Sequence, residues 1–109
     1  MSKTAKIRNL SRALEILRDI EPEMTIQQLQ VLLEIMCDEG VGGKEMEKRV
    51  NQTQSSASRN MRLFTKMRAP GKPGLDLAEW RPDPADFRRK CAHLTDKGVE
   101  LRETLMATL

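Results

Sequence analysis

The chain has little of what most metalloproteins and hydrolytic enzymes are built from. It holds one histidine, His93, and two cysteines, Cys37 and Cys91, far apart and in no CxxC or HxxxH spacing. A closed zinc site needs about four nitrogen or sulfur ligands at suitable spacing, so no structural metal is expected. Without other signs of export, the two cysteines read as reduced thiols used as small apolar residues. Aromatic residues make up only 3%, with no tyrosine and one tryptophan. The patterns GxGxxG, GxxxxGK[ST] and GxSxG are all missing, which removes the common phosphate cradles and the nucleophile elbow. Carboxylates are scattered over amphipathic segments as on a solvated face, so neither a catalytic site nor a cofactor is expected. No apolar run reaches the ~18 to 20 residues of a membrane-spanning helix. The N-terminal MSKTAKIRNL is basic but lacks the apolar stretch of a secretory signal. A cytoplasmic protein without membrane contact is the expectation.

What is present fits one domain: 109 residues, 39% hydrophobic and 32% charged, enough for a single core and too little for two. The net charge of +3 hides an uneven distribution. Residues 41–74 carry 8 basic and 2 acidic side chains, whereas the segments on either side are slightly acidic. A basic block is either a solvated surface or the footprint of a polyanionic partner. The distinction rests on whether its cations share a face with side chains able to read bases.

Periodicity divides the chain into helices and a hairpin. Ile7, Leu10, Leu14 and Leu17 form the stripe of an amphipathic helix over residues 1–20 that ends before Pro22. Thr25 to Gln28 reads as a capping box, opening a second helix with Leu29, Leu32, Leu33 and Met36 inward. Gly42-Gly43 reads as a loop. Residues 44–67 have the pattern of a helix-turn-helix: a short helix carrying Met46 and Val50, a turn at Asn51, a cap at Thr53, and a helix from Gln54 to about Met67. Ala57, Met61 and Phe64 would face inward from that last helix. Arg68 to Gly74, with two prolines and two glycines, reads as a basic loop without regular structure. Residues 75–94 read as a two-stranded wing turning at Pro82 to Asp86, and residues 95–109 as a closing helix capped by Thr95 with Val99, Leu101, Leu105 and Met106. The fold class is therefore mainly α with a small β-hairpin, a winged helix-turn-helix in the order α-α-α-α-β-β-α.

From about Thr25 to Leu105 the sequence resembles the MarR family of bacterial winged-helix regulators. The family's helix-turn-helix pattern is matched without a gap by Met46 to Asn60. Its wing pattern, D-x-R followed by L-T-x-x-G, is matched by Asp86-Phe87-Arg88 and Leu94-Thr95-Asp96-Lys97-Gly98. The resemblance implies a double-stranded DNA partner, a transcriptional role and a bacterial or phage-infected cell. It also implies that Arg88 is the wing arginine that enters the minor groove; Asp86, two residues away on the same strand side, is expected to orient the turn or that guanidinium and not to touch DNA. Three departures stand out. The loop Arg68 to Gly74 is longer than the family's direct step into the wing. Gln52 replaces a usual apolar residue, which is expected to loosen the turn. The chain stops at Leu109, short of the long terminal helices through which members dimerise. No effector site near that interface is carried over.

On a helix, Ser55, Ser58, Arg59, Arg62 and Lys66 share one side, opposite Ala57, Met61 and Phe64. Gln54, Ser55, Ser56 and Arg59 are the expected base readers in a major groove, Arg59 being suited to a bidentate guanine contact. Ser58, Arg62 and Lys66 are expected to meet phosphates, as are Arg89, Lys90 and Lys72. Trp80 is expected to anchor the wing to the core. Apolar residues at both chain ends point to a homodimer, which would place two such helices about one DNA turn apart. The leading function is thus a sequence-specific regulator, most simply a repressor. The competing readings are a winged-helix protein-interaction module, for example a small phage protein docking on host machinery, and a non-specific DNA-coating protein.

Overall fold

The computed structural model describes residues 2–109. In chain order the elements are α1 (Ala5–Ile20), α2 (Ile26–Cys37), β1 (Val41–Gly42), α3 (Gly43–Val50) and α4 (Gln54–Met61). A 3-10 turn (Arg62–Phe64) follows, then β2 (Met67–Ala69), β3 (Lys72–Pro73), β4 (Ala78–Asp83), β5 (Asp86–Leu94) and α5 (Asp96–Thr108). This is the winged helix-turn-helix expected, with local differences that each have a physical cause.

The capping box of α2 is formed: Gln28 N–H donates to Thr25 Oγ1 at 3.1 Å, and Thr25 N–H donates to Gln28 Oε1 at 2.8 Å. The buried residues of α2 are Val31, Leu32 and Ile35, with Leu29 and Met36 at the margin and Leu33 exposed. The inward face is rotated from the expected one because α2 is flanked by α3, α4 and β5 together, which centres its contact on residues 31, 32 and 35. In α1 only Ala13 and Leu17 are buried. Ile7, Leu10 and Leu14 are 68%, 53% and 46% exposed, so most of the predicted stripe faces solvent rather than the core.

The wing sheet has the order β1-β5-β4, all antiparallel. The short third strand is a correction to the loop expected at Gly42-Gly43. Val41 pairs with Ala92 and Gly42 with Cys91, while Gly40, at φ 93, donates its N–H to Ala92 O at 2.7 Å. The inner half of β5, Cys91 to Leu94, is thereby buried or nearly so, whereas Phe87 to Lys90 project beyond the core.

The helix expected to run to Met67 stops at Met61, tightens into the 3-10 turn and opens at Thr65. Its later carbonyls have other partners. Leu63 O accepts from Leu75 N–H at 2.8 Å, Phe64 O from Leu77 N–H at 2.7 Å, and Lys66 O from Gly74 N–H at 2.9 Å. A continuing helix would need those same oxygens, so the returning chain ends it. The segment read as an irregular loop is a hairpin in which Met67 pairs with Pro73 and Ala69 with Lys72. Its corner is Pro70-Gly71, with Gly71 at φ 74, the residue pair a type II turn favours. The wing strands accordingly begin at Ala78, not Leu75.

The Leu-Thr-x-x-Gly segment locks wing to α5. Leu94 is buried. The Thr95 hydroxyl accepts from Gly98 N–H at 3.1 Å and lies 2.6 Å from Asp76 O, to which it donates. A Cβ at position 98 would overlap the Leu77 carbonyl oxygen, so only glycine lets α5 pass this close.

The core joins Met46, Val50, Ala57, Met61, Leu63 and Phe64 to residues from every other helix and from the sheet. Phe64 has no exposed surface. Phe64→Ala is expected to cost about 3–5 kcal/mol, seen in urea unfolding as a lowered midpoint at unchanged slope.

Candidate nucleic-acid interface

Helix α3 is seated by buried Met46 and Val50, and Asn51 at φ 52, ψ 45 takes the left-handed turn into α4. Gln52, expected to loosen this turn, ties it. Its Nε2 donates to Gln27 O at 3.1 Å and its Oε1 accepts from Asn60 Nδ2 at 2.7 Å, so one side chain links the turn to both α2 and α4. Thr53 Oγ1 then accepts from Ser56 N–H at 3.1 Å and caps α4. On the far side of α3, Arg49 reaches Asp38 at 2.9 Å, Glu45 at 3.3 Å and Glu34 at 3.6 Å. The hydrogen bond it donates to Asp38 is the largest cause holding its guanidinium above the ordinary value.

These bonds separate structural cations from available ones. In the basic block, Arg49 is taken up by α2 and α3. Arg68 is taken up by Glu21, at 3.8 Å, and by Pro73 O, to which its Nε donates at 3.0 Å. Among the described residues, Lys44, Lys48, Arg59, Arg62, Lys66 and Lys72 have no carboxylate within 4.0 Å.

Ala57 and Met61 point into the core, and Ser55, Ser58, Arg59 and Arg62 are exposed on the other side of α4 and its 3-10 extension. Gln54 is exposed at the start of α4 and lies against Gly43. Two sequence-predicted residues sit differently. Ser56 is half-buried, one turn before Asn60 on the flank turned toward Gln52. Lys66 is exposed but lies beyond the helix, at the root of the β2–β3 hairpin, because α4 is shorter than expected.

The wing presents its arginines through a bulge. Asp83 pairs with Asp86 and Pro82 with Lys90, leaving Phe87, Arg88 and Arg89 without partners on β4. Extra residues on one strand bend it and re-aim its side chains. Asp86 Oδ1 accepts from Arg88 N–H at 3.1 Å and from Arg88 Nε at 3.2 Å, while Oδ2 lies 3.7 Å from Arg89 Nε. These donors, the Arg88 backbone N–H first, hold the Asp86 carboxyl below its ordinary range. The Arg88 side chain is nevertheless 91% exposed, oriented at its root and open at its guanidinium. Trp80, partly buried and packed on the core, anchors the wing as expected.

Between wing, α3 and α4 lies an open groove of about 640 Å³, lined among others by Lys44, Gln54, Ser58, Trp80, Arg88 and Lys90. The sequence reading missed Lys44, whose place at the start of α3 is opposite the wing only because β1 brings the two together. It also missed Phe87, 79% exposed at the wing tip. An apolar residue beside a wing arginine, in a strand period that breaks, was the available signal. Cys37 and Cys91 are both free. Burial first, and then Asp83, pushes the Cys91 thiol up.

No family model matches the chain, and no curated protein matches it. Solved structures do. The S. aureus MepR–DNA complex is 20% identical over 94% of this chain and 74% of that one, with a TM-score of 0.67. The PcaV transcriptional regulator from Streptomyces coelicolor is 22% identical over 99% and 75%, with a TM-score of 0.63. MarR is 20% identical over 91% and 71%, with a TM-score of 0.60. What this chain shares with them is the MarR-type winged-helix fold.

The Asp86 clasp has a pH dependence of definite sign. A carboxyl lowered in the folded state stabilises above its unfolded value, and that contribution is lost as pH falls through the folded one. An NMR titration of side-chain carboxyls should place Asp86 below the ordinary 3.8. The Arg88 Nε signal should shift in step with it, and Asp86→Asn should abolish that coupled shift.

Proposed function

With a MarR-type winged helix and an outward cationic face on α4 as premises, we propose that the protein is a non-enzymatic, sequence-specific double-stranded DNA-binding regulator of transcription, most simply a repressor. The observation that carries this reading is the state of Arg59 and Arg62. Neither has a carboxylate within 4.0 Å among the described residues, and both stand on the exposed side of α4 and its 3-10 extension, whose opposite side is sealed into the core. Elsewhere in the same basic block, the arginines that serve the fold are paired. A guanidinium held outward beside Gln54, Ser55 and Ser58 suits a major groove. Arg59, Gln54 and Ser55 are the base readers, with Ser56 a lesser one because it is half-buried, and Ser58 and Arg62 meet phosphates. Arg88 enters the adjacent minor groove, oriented by Asp86, and Arg89 meets its phosphate wall. That MepR is a structural neighbour in complex with DNA supports the choice of ligand.

The active form is a homodimer. Ile7, Leu10 and Leu14 on α1, with Met106 on α5 and Leu109 just beyond it, leave apolar surface at the two chain ends. Asn9 Nδ2 and Leu109 O, 3.5 Å apart, bring those ends together. A second copy covering this surface about a two-fold axis aligns two α4 helices with a pseudo-palindromic site. No described helix is long and apolar enough to cross a membrane.

A duplex recovered by selection from a random pool, and a scrambled duplex, test the reading by fluorescence anisotropy. Arg59→Ala should reduce the preference for the selected sequence by about 5- to 150-fold for each half-site, the value of one bidentate base contact. Arg62→Ala should weaken both duplexes alike and lower the salt slope by about 0.9 for each protomer bound, about 1.8 for a dimer. Two protomers should bind per site. Variants that both match the parent would show the wrong face had been chosen, and failure to select any sequence would favour a coating protein or a protein-docking module.

A further inference from the structure

We propose that the β2–β3 hairpin is a second, smaller wing that grips the DNA backbone through Lys66 and Lys72, extending the phosphate footprint beyond α4. The inference rests on the DNA-binding reading and goes beyond it. Its first support is charge. Between Arg62 and Gly74 the chain carries Arg62, Lys66, Arg68 and Lys72 and no carboxylate. Its second is construction. The hairpin is built and braced: Gly71 makes its corner at φ 74, and Arg68 holds Pro73 O at 3.0 Å and Glu21 at 3.8 Å. Lys66 O and Leu63 O accept from Gly74 and Leu75 at 2.9 and 2.8 Å. A Cβ at position 74 would overlap the Thr65 carbonyl oxygen, so the hairpin can close this tightly on the end of α4 only with glycine there.

The third support is how the cations divide. Arg68 is spent on bracing, whereas Lys66 and Lys72 are exposed with no carboxylate within 4.0 Å among the described residues. Lys72 pairs in register with Ala69, and Lys66 immediately precedes β2, so both stand on a two-stranded ribbon that packs against the 3-10 turn bearing Arg62. Ammonium groups on flexible stems act as point charges for phosphate rather than as readers of base edges. The hairpin therefore adds affinity without adding sequence information.

The test uses the full chain and a mixed-sequence duplex of two helical turns, titrated across a series of salt concentrations. Lys66→Ala/Lys72→Ala should flatten the dependence of log K on log salt by about 1.8 for each protomer bound, about 3.6 for a dimer, at about 0.9 per phosphate contact. The loss of affinity at fixed salt should be equal on a selected duplex and on the mixed one. Lys72→Glu should weaken binding further than Lys72→Ala, and all variants should melt with the parent. A parent-like slope in the double variant, with the parent binding DNA normally, overturns the second wing alone. A loss confined to the selected duplex also overturns it, since that marks base reading. A parent with no salt-dependent affinity for any duplex overturns the DNA-binding reading and this inference together.

Discussion

Met61 and Phe64 are 1% and 0% exposed and sit three residues apart, at the end of α4 and in the turn that follows. Together with Ala57 they plug α4 into a core shared with α2, α3 and the wing. Everything functional depends on this seating. It fixes the rotation of α4 about its axis, and that rotation decides whether Ser55, Ser58, Arg59 and Arg62 face outward as a group. An error of one residue in register on a helix turns a side chain by about 100°, enough to bury an arginine. Burying an unpaired cation is far costlier than leaving the face in water, so packing and electrostatics agree on the same orientation.

Polar side chains then set the precision of the site. Gln52 joins the interhelical turn to α2 and α4, Arg49 joins α3 to α2, and Asp86 clasps the root of Arg88. None of these is buried deeply enough to dominate stability, and exposed ion pairs contribute little. Their effect is orientational: they reduce the freedom of the elements that carry Arg59 and Arg88 while leaving those guanidinium groups open. The same division runs through the basic block. Arg49 and Arg68 brace, and the lysines and arginines near them stay available.

Features governed by neighbouring residues were legible in the sequence. The caps at Thr25, Thr53 and Thr95, the left-handed Asn51, and the inward set Ala57, Met61 and Phe64 all stand where local pattern placed them. Features governed by distant partners were not. The helix expected to reach Met67 does not, because Leu75 and Leu77 take the carbonyls of Leu63 and Phe64, and β1 exists because β5 offers a free edge fifty residues later. The hairpin at 67–73 combines both limits, since prolines and glycines signal a turn without saying whether the flanking residues pair. The stripe on α1 was legible as amphipathic, but its division between core and open surface was not, because periodicity identifies an apolar side and not what covers it: Ala13 and Leu17 are buried, while Ile7, Leu10 and Leu14 are exposed. Within the candidate site, the residue types were legible and the bulge that lifts Arg88 and Arg89 was not.

Helix α4 presents an outward polar and cationic face beside a wing held in fixed register. Backbone amide shifts measured by NMR, as the protein is titrated with a duplex selected from a random pool, test it directly. If DNA docks on that face, the largest changes fall across residues 54–62 and 86–90, with the amides of Leu32, Ile35 and Leu101 nearly unmoved. Changes centred on α1 and α5 with α4 silent, or a uniform collapse of core signals, would contradict it.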